Sequence, residues 1–291
     1  MTQDVTVRSE EATVRPGLVE GPVQKAAAGM GQLIGVSLGP GDPGLITRAA
    51  WAQLQRRDAV WVYPARSGKT PSYAFEITQR ADLAPPPEHS VLLFPMTHDG
   101  EKLARAWSKA AATVLPWLQQ GRDVLFLVEG DASTYATFGH LARTLQARVP
   151  GLPVRTLAGV NAFTAACARL GRPLSEQDDT VAIVPAAYGV AALDRLLPEF
   201  DTLVLLKVKP LIEPLFDWLI ARDLLAGTDF VERCGGPDER VYRGAEMLAL
   251  RGQPVSYLSL LLVRHGQRLR GERIRGCLKK TLPTPNALIT P

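Results

Sequence analysis

Cysteine is scarce in this 291-residue chain. The three residues, Cys167, Cys234 and Cys277, lie far apart and form no CxxC pair. Their spacing and odd number exclude a disulfide framework, and a reducing, cytoplasmic compartment is the expected home. Histidine is also sparse. The four residues, His89, His98, His140 and His265, show no HxxxH or other metal-ligand spacing, so no metal site is expected. No apolar run reaches the roughly 18 residues that a membrane-crossing helix needs. Residues 1–30 lack the basic-then-apolar order of a secretory signal and read as a mobile extension. An excess of one charge is nearly missing too: 33 Lys+Arg against 29 Asp+Glu give +4. That excess is too mild to predict nucleic-acid binding by itself and suits a small anionic partner.

What is present is apolar material in short, spaced runs. Hydrophobic residues make up 46% of the chain, enough for a core without disulfides or metal, and the length suits about two domains. Apolar runs at 31–38, 59–63, 90–94, 123–128 and 153–157 predict strands. Helix-period segments near 43–57, 72–81, 100–120, 133–148 and 161–170 alternate with them. Continuous apolar strands alternating with helices imply a parallel sheet buried on both faces. The polar break at 171–179 then marks a boundary. Beyond it, strands are expected near 180–185, 201–208, 228–233 and 255–263, with helices near 189–197, 210–226 and 245–250. The expectation is an α/β chain of two α/β domains, 31–173 and 178–264, with mostly parallel central sheets. Residues 265–291 form a basic tail, either a solvated end or an arm for an anionic partner.

Two sequences imitate phosphate loops. Gly39, Gly41 and Gly44 satisfy GxGxxG after the first strand, but Pro40 and Pro43 remove two of the N–H groups a pyrophosphate cradle needs. Asp42 instead suits a helix N-cap with Pro43 in the first helical position. Ser67-Gly68-Lys69-Thr70 ends like a P-loop, but Tyr63 stands where the first glycine belongs.

The strand-four turn, Glu129-Gly130-Asp131, and the strand-five turn, Ala158-Gly159-Val160-Asn161-Ala162, carry more information. Ligands of open α/β sheets bind beyond the carboxyl ends of the strands. Asp131 is equally suited to accept hydrogen bonds from a ligand or to cap the next helix, and Asn161 has the same two readings.

The joint pattern resembles the tetrapyrrole (corrin/porphyrin) methyltransferase family. It comprises GPGDP after strand one, EGD with Tyr135, Thr137 and Phe138 after strand four, and AGVNAF after strand five. Further cues are Tyr63-Pro64, Phe94-Pro95-Met96-Thr97, Leu206-Lys207-Val208, Phe230-Val231-Glu232-Arg233 and Tyr257-Leu258-Ser259, so that residues 31–264 are covered. The resemblance implies two α/β domains with S-adenosylmethionine in the cleft between them, a polycarboxylate tetrapyrrole as substrate, and a homodimer. Carried over by position, the cofactor contacts are Pro40, Gly130, Asp131, Thr134, Asn161, Ala162, Leu206, Lys207 and Cys234. For Cys234 simple burial competes with that role, and for Lys207 a solvated strand-end charge does. Arg66 and Lys69 are candidates to grip the substrate's carboxylates, although the same residues suit an exposed loop. His98, Asp99 and Tyr63 are candidates to move a proton; capping competes for Asp99 and packing for Tyr63. The chain departs from the family at Ser37, where glycine is usual, at Ala132, where proline is usual, and at Ala158-Gly159, where Pro-Gly is common. Ser37 and Ala132 motivate a non-catalytic alternative; related folds that modify RNA and protein motivate another acceptor, and the basic tail supports RNA.

Overall fold

The computed structural model describes residues 29–97, 99–186 and 189–266. Most of the 1–30 extension, nearly all of the 265–291 tail and the candidate His98 lie outside the described residues.

Ten strands form two five-stranded sheets among these residues. The first contains β1 (Leu33–Ser37), β2 (Val60–Ala65), β3 (His89–Leu93), β4 (Val124–Val128) and β5 (Val154–Leu157). Its order is β3-β2-β4-β1-β5 and every pairing is parallel. The β1 and β4 runs, LIGVS and VLFLV, are buried throughout because both faces of the sheet are covered. On one face, α3 (Gly100–Gln119) and α4 (Phe138–Arg148) pack over Val62, Val124, Phe126 and Val128. On the other, α1 (Arg48–Leu54) and α2 (Tyr73–Arg80) pack over Ile34, Val36, Trp61 and Leu127.

The second sheet contains β6 (Val181–Pro185), β7 (Thr202–Leu206), β8 (Thr228–Glu232), β9 (Arg240–Arg243) and β10 (Ser259–Arg264), in the order β6-β7-β10-β8-β9. Here the expectation of a mostly parallel sheet is corrected. Only β6 and β7 pair in parallel; β10 is antiparallel to both of its neighbours, and so is β9 to β8. The reason lies in the connections. Helices α6 (Val190–Leu196) and α7 (Ile212–Ala221) are crossovers long enough to return the chain in the same direction. A short turn joins β8 to β9 as a hairpin, and β10 then enters between β7 and β8 after a 3-10 segment at Gly244–Leu250. β9 itself, Arg-Val-Tyr-Arg, was not expected.

The helix α5 (Ala162–Leu170) crosses between the halves. It follows β5 of the first sheet, yet its Phe163, Ala166, Cys167 and Leu170 pack on Val204, Val231, Leu260 and Leu262 of the second. Packing therefore changes sheets just before Asn161, ahead of the polar break at 171–179. Gly171, at φ +65°, closes α5 in the left-handed conformation that favours glycine.

Candidate active site

The site is built from the turns that leave the carboxyl ends of β1, β4 and β5. Gly39 and Gly130 exchange backbone hydrogen bonds: the Gly130 N–H donates to the Gly39 carbonyl at 2.7 Å and the reverse bond is 3.2 Å. Both glycines hold φ near +75°, a conformation other residues adopt at a cost. The GPGDP turn behaves as its sequence suggests. Asp42 Oδ1 accepts from the Gly44 N–H at 2.8 Å, and Pro43 opens one 3-10 turn, Pro43–Leu45. The helix expected over 43–57 starts afresh at Arg48, where Thr47 accepts from the Ala50 N–H at 3.3 Å.

Asp131 knits two turns together. Its Oδ1 accepts from the Ser133 N–H at 2.8 Å, from the Ser133 hydroxyl, and from the Thr134 hydroxyl at 3.3 Å. Its Oδ2 accepts from the Gly159 N–H at 2.7 Å. Burial works against this charge, but the donors prevail and hold the carboxyl below its ordinary value. Beneath it, Ser37 donates to the Leu157 carbonyl at 2.5 Å and accepts from the Ala132 N–H at 2.8 Å. Thus Ser37 and Ala132, two of the departures from the family, meet each other. Gly159 lies so close that a Cβ there would sit 2.3 Å from the Ser37 Cβ.

The second half supplies the facing rim. Lys207, at the end of β7, and Arg233, at the end of β8, hold left-handed φ values of +59° and +49°. The Lys207 ammonium lies 5.7 Å from the Tyr135 ring and 5.9 Å from the Tyr257 ring. Arg66, on the exposed loop after β2, stacks its guanidinium 4.6 Å from that same Tyr257 ring. Such stacking is worth about 0.5–1 kcal/mol at exposed sites, so it orients Arg66 more than it stabilises the fold. Tyr135, at φ +52°, reaches across to donate to the Ile183 carbonyl at 3.0 Å. Backbone meets backbone where the GPGDP turn touches the turn after β8: a Cβ at Gly41 would fall 2.6 Å from the Cys234 carbonyl oxygen, and one at Gly235 2.7 Å from the Asp42 nitrogen. The Tyr73 hydroxyl is wedged into this seam, with Arg233 stacked 4.8 Å from its ring.

Pro40, Gly130, Asp131, Thr134, Asn161, Ala162, Leu206, Lys207 and Cys234 thus fall on strand-end turns from both halves. Asn161 stands at the N-cap of α5, but its side chain makes no capping hydrogen bond. Its amide is thus not spent on the cap. Cys234 is buried and its thiol is pushed up to about 12, chiefly by burial and then by Glu239. It lines the seam as a neutral group. Two candidates lie elsewhere in function. Tyr63 packs on Phe75 with ring centroids 4.5 Å apart and shares a 2.9 Å hydrogen bond with His89 Nδ1, so it belongs to the core beside α2. Asp99 caps α3, accepting from the Glu101 and Lys102 N–H groups at 3.0 and 3.1 Å. Lys69 is exposed, its N–H bonded to the Ser67 hydroxyl at 3.3 Å. Among the described residues, no group of three or more His, Cys, Asp or Glu could hold a metal ion, and no helix is long and apolar enough to cross a membrane.

Glu129 was quoted in the strand-four turn without a role. It is half-buried, and burial pushes its carboxyl up against the opposing pull of Arg66 and Lys207. Sequence alone showed a carboxylate at a strand end; it did not show which cations face it.

The molecule can now be set beside known proteins. Residues 32–247 match the model of the tetrapyrrole (corrin/porphyrin) methylases. A probable cobalt-precorrin-2 C(20)-methyltransferase of Methanocaldococcus jannaschii is 31% identical over 237 residues, covering 81% of this chain and 97% of that protein. A precorrin-2 C(20)-methyltransferase of Sinorhizobium sp. is 30% identical over 251 residues, covering 82% and 97%. In three dimensions, the uroporphyrin-III C-methyltransferase of Thermus thermophilus, solved with S-adenosylhomocysteine, shares the fold at a TM-score of 0.54 and 24% identity, covering 80% of this chain and 97% of that one. With the strand-end turns, the α/β architecture and the match over most of its length in agreement, the chain belongs to the tetrapyrrole methylase family.

Proposed function

We propose that this protein transfers a methyl group from S-adenosylmethionine to the C20 meso carbon of precorrin-2, or of its cobalt-bearing counterpart, in cobalamin biosynthesis. The observation that carries the reading is the likeness to two proteins named for this reaction, each covered over 97% of its own length. The residues present fit the cofactor. The Asn161 amide is uncommitted to its helix, and a Cβ at Gly130 would meet nothing within 4 Å, so open space adjoins the turn.

S-adenosylmethionine supplies a methyl group already activated on a sulfonium. The chain's work is to hold and orient, which suits a site without a nucleophile and its base. Asn161, Ala162, Gly130 and Leu206 line the cofactor side of the cleft. Asp131 and Thr134 serve through the turn they hold rigid, since both Asp131 oxygens are engaged within the protein. Arg66, aligned by Tyr257, and Lys69 grip peripheral carboxylates of the ring. The reading includes two domains meeting at the cleft, a homodimer and a cytoplasmic location.

Incubation with S-adenosylmethionine and precorrin-2, with and without cobalt, tests it. A gain of one methyl group by mass supports the reading, and the faster ring form identifies the acceptor. No gain with either ring overturns it.

A further inference from the structure

We propose that Tyr257 is a positioning residue of this site: its ring holds Arg66, on the substrate side, and Lys207, on the cofactor side, so that one side chain aligns both ligands for transfer. The proposal rests on the methyl-transfer reading above and adds a residue to it.

Tyr257 stands in the short loop before β10, and bonds on either side fix its backbone. The Ser256 N–H donates to Glu232 Oε1 at 2.7 Å, and Glu232 is itself buried and held by Arg240 Nε at 2.9 Å. The Leu258 carbonyl accepts from the Arg233 N–H at 2.7 Å, and the Ser259 carbonyl accepts from the Lys207 N–H at 3.1 Å. The loop is therefore stapled to the ends of β7 and β8, the two strand ends that hold left-handed φ values. The base of the ring cannot shift independently of Lys207.

Two cations meet this half-buried ring. The Lys207 ammonium, from the same half, lies 5.9 Å from its centroid. The Arg66 guanidinium, from the exposed loop after β2 in the other half, lies 4.6 Å from it. Tyr135 gives Lys207 a second ring at 5.7 Å, and Tyr135 is itself fixed by its bond to the Ile183 carbonyl at 3.0 Å. Lys207 is thus placed between tyrosines from both halves, while Arg66 is placed by Tyr257.

The arrangement does what neither cation could do alone. A long side chain on an exposed loop loses many rotamers when a ligand fixes it, and stacking on a ring removes part of that loss beforehand. Stacking also sets the plane of the guanidinium, whose fork then meets a carboxylate in one orientation. Two like charges drawn to one ring repel each other. Among the described residues neither pairs with a carboxylate at ion-pair distance, and Glu129 attracts them through space alone. Both are therefore open to anionic groups, and the cofactor and the tetrapyrrole both carry carboxylates. A cation that meets the ring substrate and a cation that meets the cofactor share one rigid support, so their separation is set before either ligand arrives.

Substitutions in the whole protein test this. Tyr257→Leu should raise KM for precorrin-2 and weaken S-adenosylhomocysteine binding by about two- to fivefold each, the reach of one exposed cation–ring contact. Its kcat should fall further, by about tenfold or more, because misplacement costs more in rate than in binding. Tyr257→Phe keeps the ring and should recover most of both losses. Two double-mutant cycles separate positioning from a purely structural role. Arg66→Gln should raise KM in the parent and add little in Tyr257→Leu; Lys207→Gln should weaken S-adenosylhomocysteine binding in the parent and add little in Tyr257→Leu. Additivity in either cycle overturns the joint role, and so does an unchanged kcat in Tyr257→Leu. Equal losses in Tyr257→Phe and Tyr257→Leu also overturn it, since they would assign the effect to the hydroxyl. If Tyr257→Leu does not fold, Tyr257→tetrafluorophenylalanine takes its place, with the same outcomes expected, because it keeps the shape and weakens the negative face of the ring. A parent protein that fails to methylate precorrin-2 sinks the acceptor reading. The S-adenosylhomocysteine cycle then still decides on Tyr257: additivity overturns its role, and non-additivity sustains it for another acceptor of this class.

Discussion

The two rims of the cleft are shaped by different physical means. On the first-sheet rim, the turns that meet across the sheet fall on glycine: Gly39 and Gly130 hold positive φ without strain, and Gly159 admits the Ser37 side chain, while Tyr135 alone of this rim's non-glycine residues is left-handed, at φ +52°. On the second-sheet rim, Gly235 shares the turn after β8, but the strand ends themselves carry Lys207 and Arg233, charged residues forced left-handed at roughly 1–2 kcal/mol each. Neighbours offset that strain. Arg233 pairs with Asp238 at 2.5 Å and stacks on Tyr73, while Lys207 lies over two tyrosine rings. The difference teaches where a side chain matters more than an easy backbone. Glycine shapes the turns that are knitted by main-chain bonds, and strain is retained where a particular side chain is presented, as at Lys207, Arg233 and Tyr135.

Breaking the glycine rim should have the largest effect. In Gly159→Ala the new Cβ would meet the Ser37 Cβ at 2.3 Å and the Gly130 carbonyl oxygen at 2.8 Å, neither of which is a flexible side-chain end. A loss of about 3 kcal/mol is expected from the urea midpoint. Adding Ser37→Gly should return part of it, because the nearer atom is gone. Asp131→Asn comes next. It removes a charged acceptor serving the Gly159 and Ser133 donors, and should cost about 2 kcal/mol at pH 7. The sign of its pH dependence follows from the lowered carboxyl. The contribution is fully present above the unfolded value of about 3.9 and is lost as pH falls through the lower folded value. Parent and variant stabilities should therefore converge in acid, and a gap that persisted below about pH 2 would contradict the account.

Relieving the strained rim should sharpen the contrast in the other direction. Lys207→Gly is expected to leave stability unchanged or raise it by up to about 1 kcal/mol, while weakening S-adenosylhomocysteine binding. Thermal melting and calorimetry read the two effects separately. The smallest effect belongs to Asp99, away from both rims. Asp99→Asn should keep melting temperature and activity, because Asn caps a helix as well as Asp does, whereas Asp99→Ala should lower the melting temperature slightly with activity kept.

Much of this was legible in the residues. The five strands of the first sheet announce themselves as apolar runs, and Asp42 with Pro43 announces its own turn. β9 was hidden because Arg240-Val-Tyr-Arg243 is short, charged and on a sheet edge, stabilised by pairing rather than by its own pattern. The direction of β10 was hidden for a related reason, since an apolar run does not state which way it runs. Site chemistry was legible as residue types and illegible as partners. Asp131 was placed evenly between ligand and cap because nothing in EGDAS reveals that Gly159 lies within hydrogen-bond reach. Tyr63 was a candidate because it stands at a strand end, and nothing in its local sequence names His89 beside it.

The position of β10 bears on how the protein is made. In the first sheet the middle strands, β1 and β4, are both synthesised before residue 129, and β5 completes an edge. In the second sheet the middle strand is the last, so β7 and β8 each present an open edge until residues 259–264 leave the ribosome. During that interval a finished first sheet is tethered to an unfinished one whose exposed edges invite pairing with other chains. Chaperone demand during translation should therefore centre on the stretch between β7 and β10, and slow codons there would lengthen the vulnerable period.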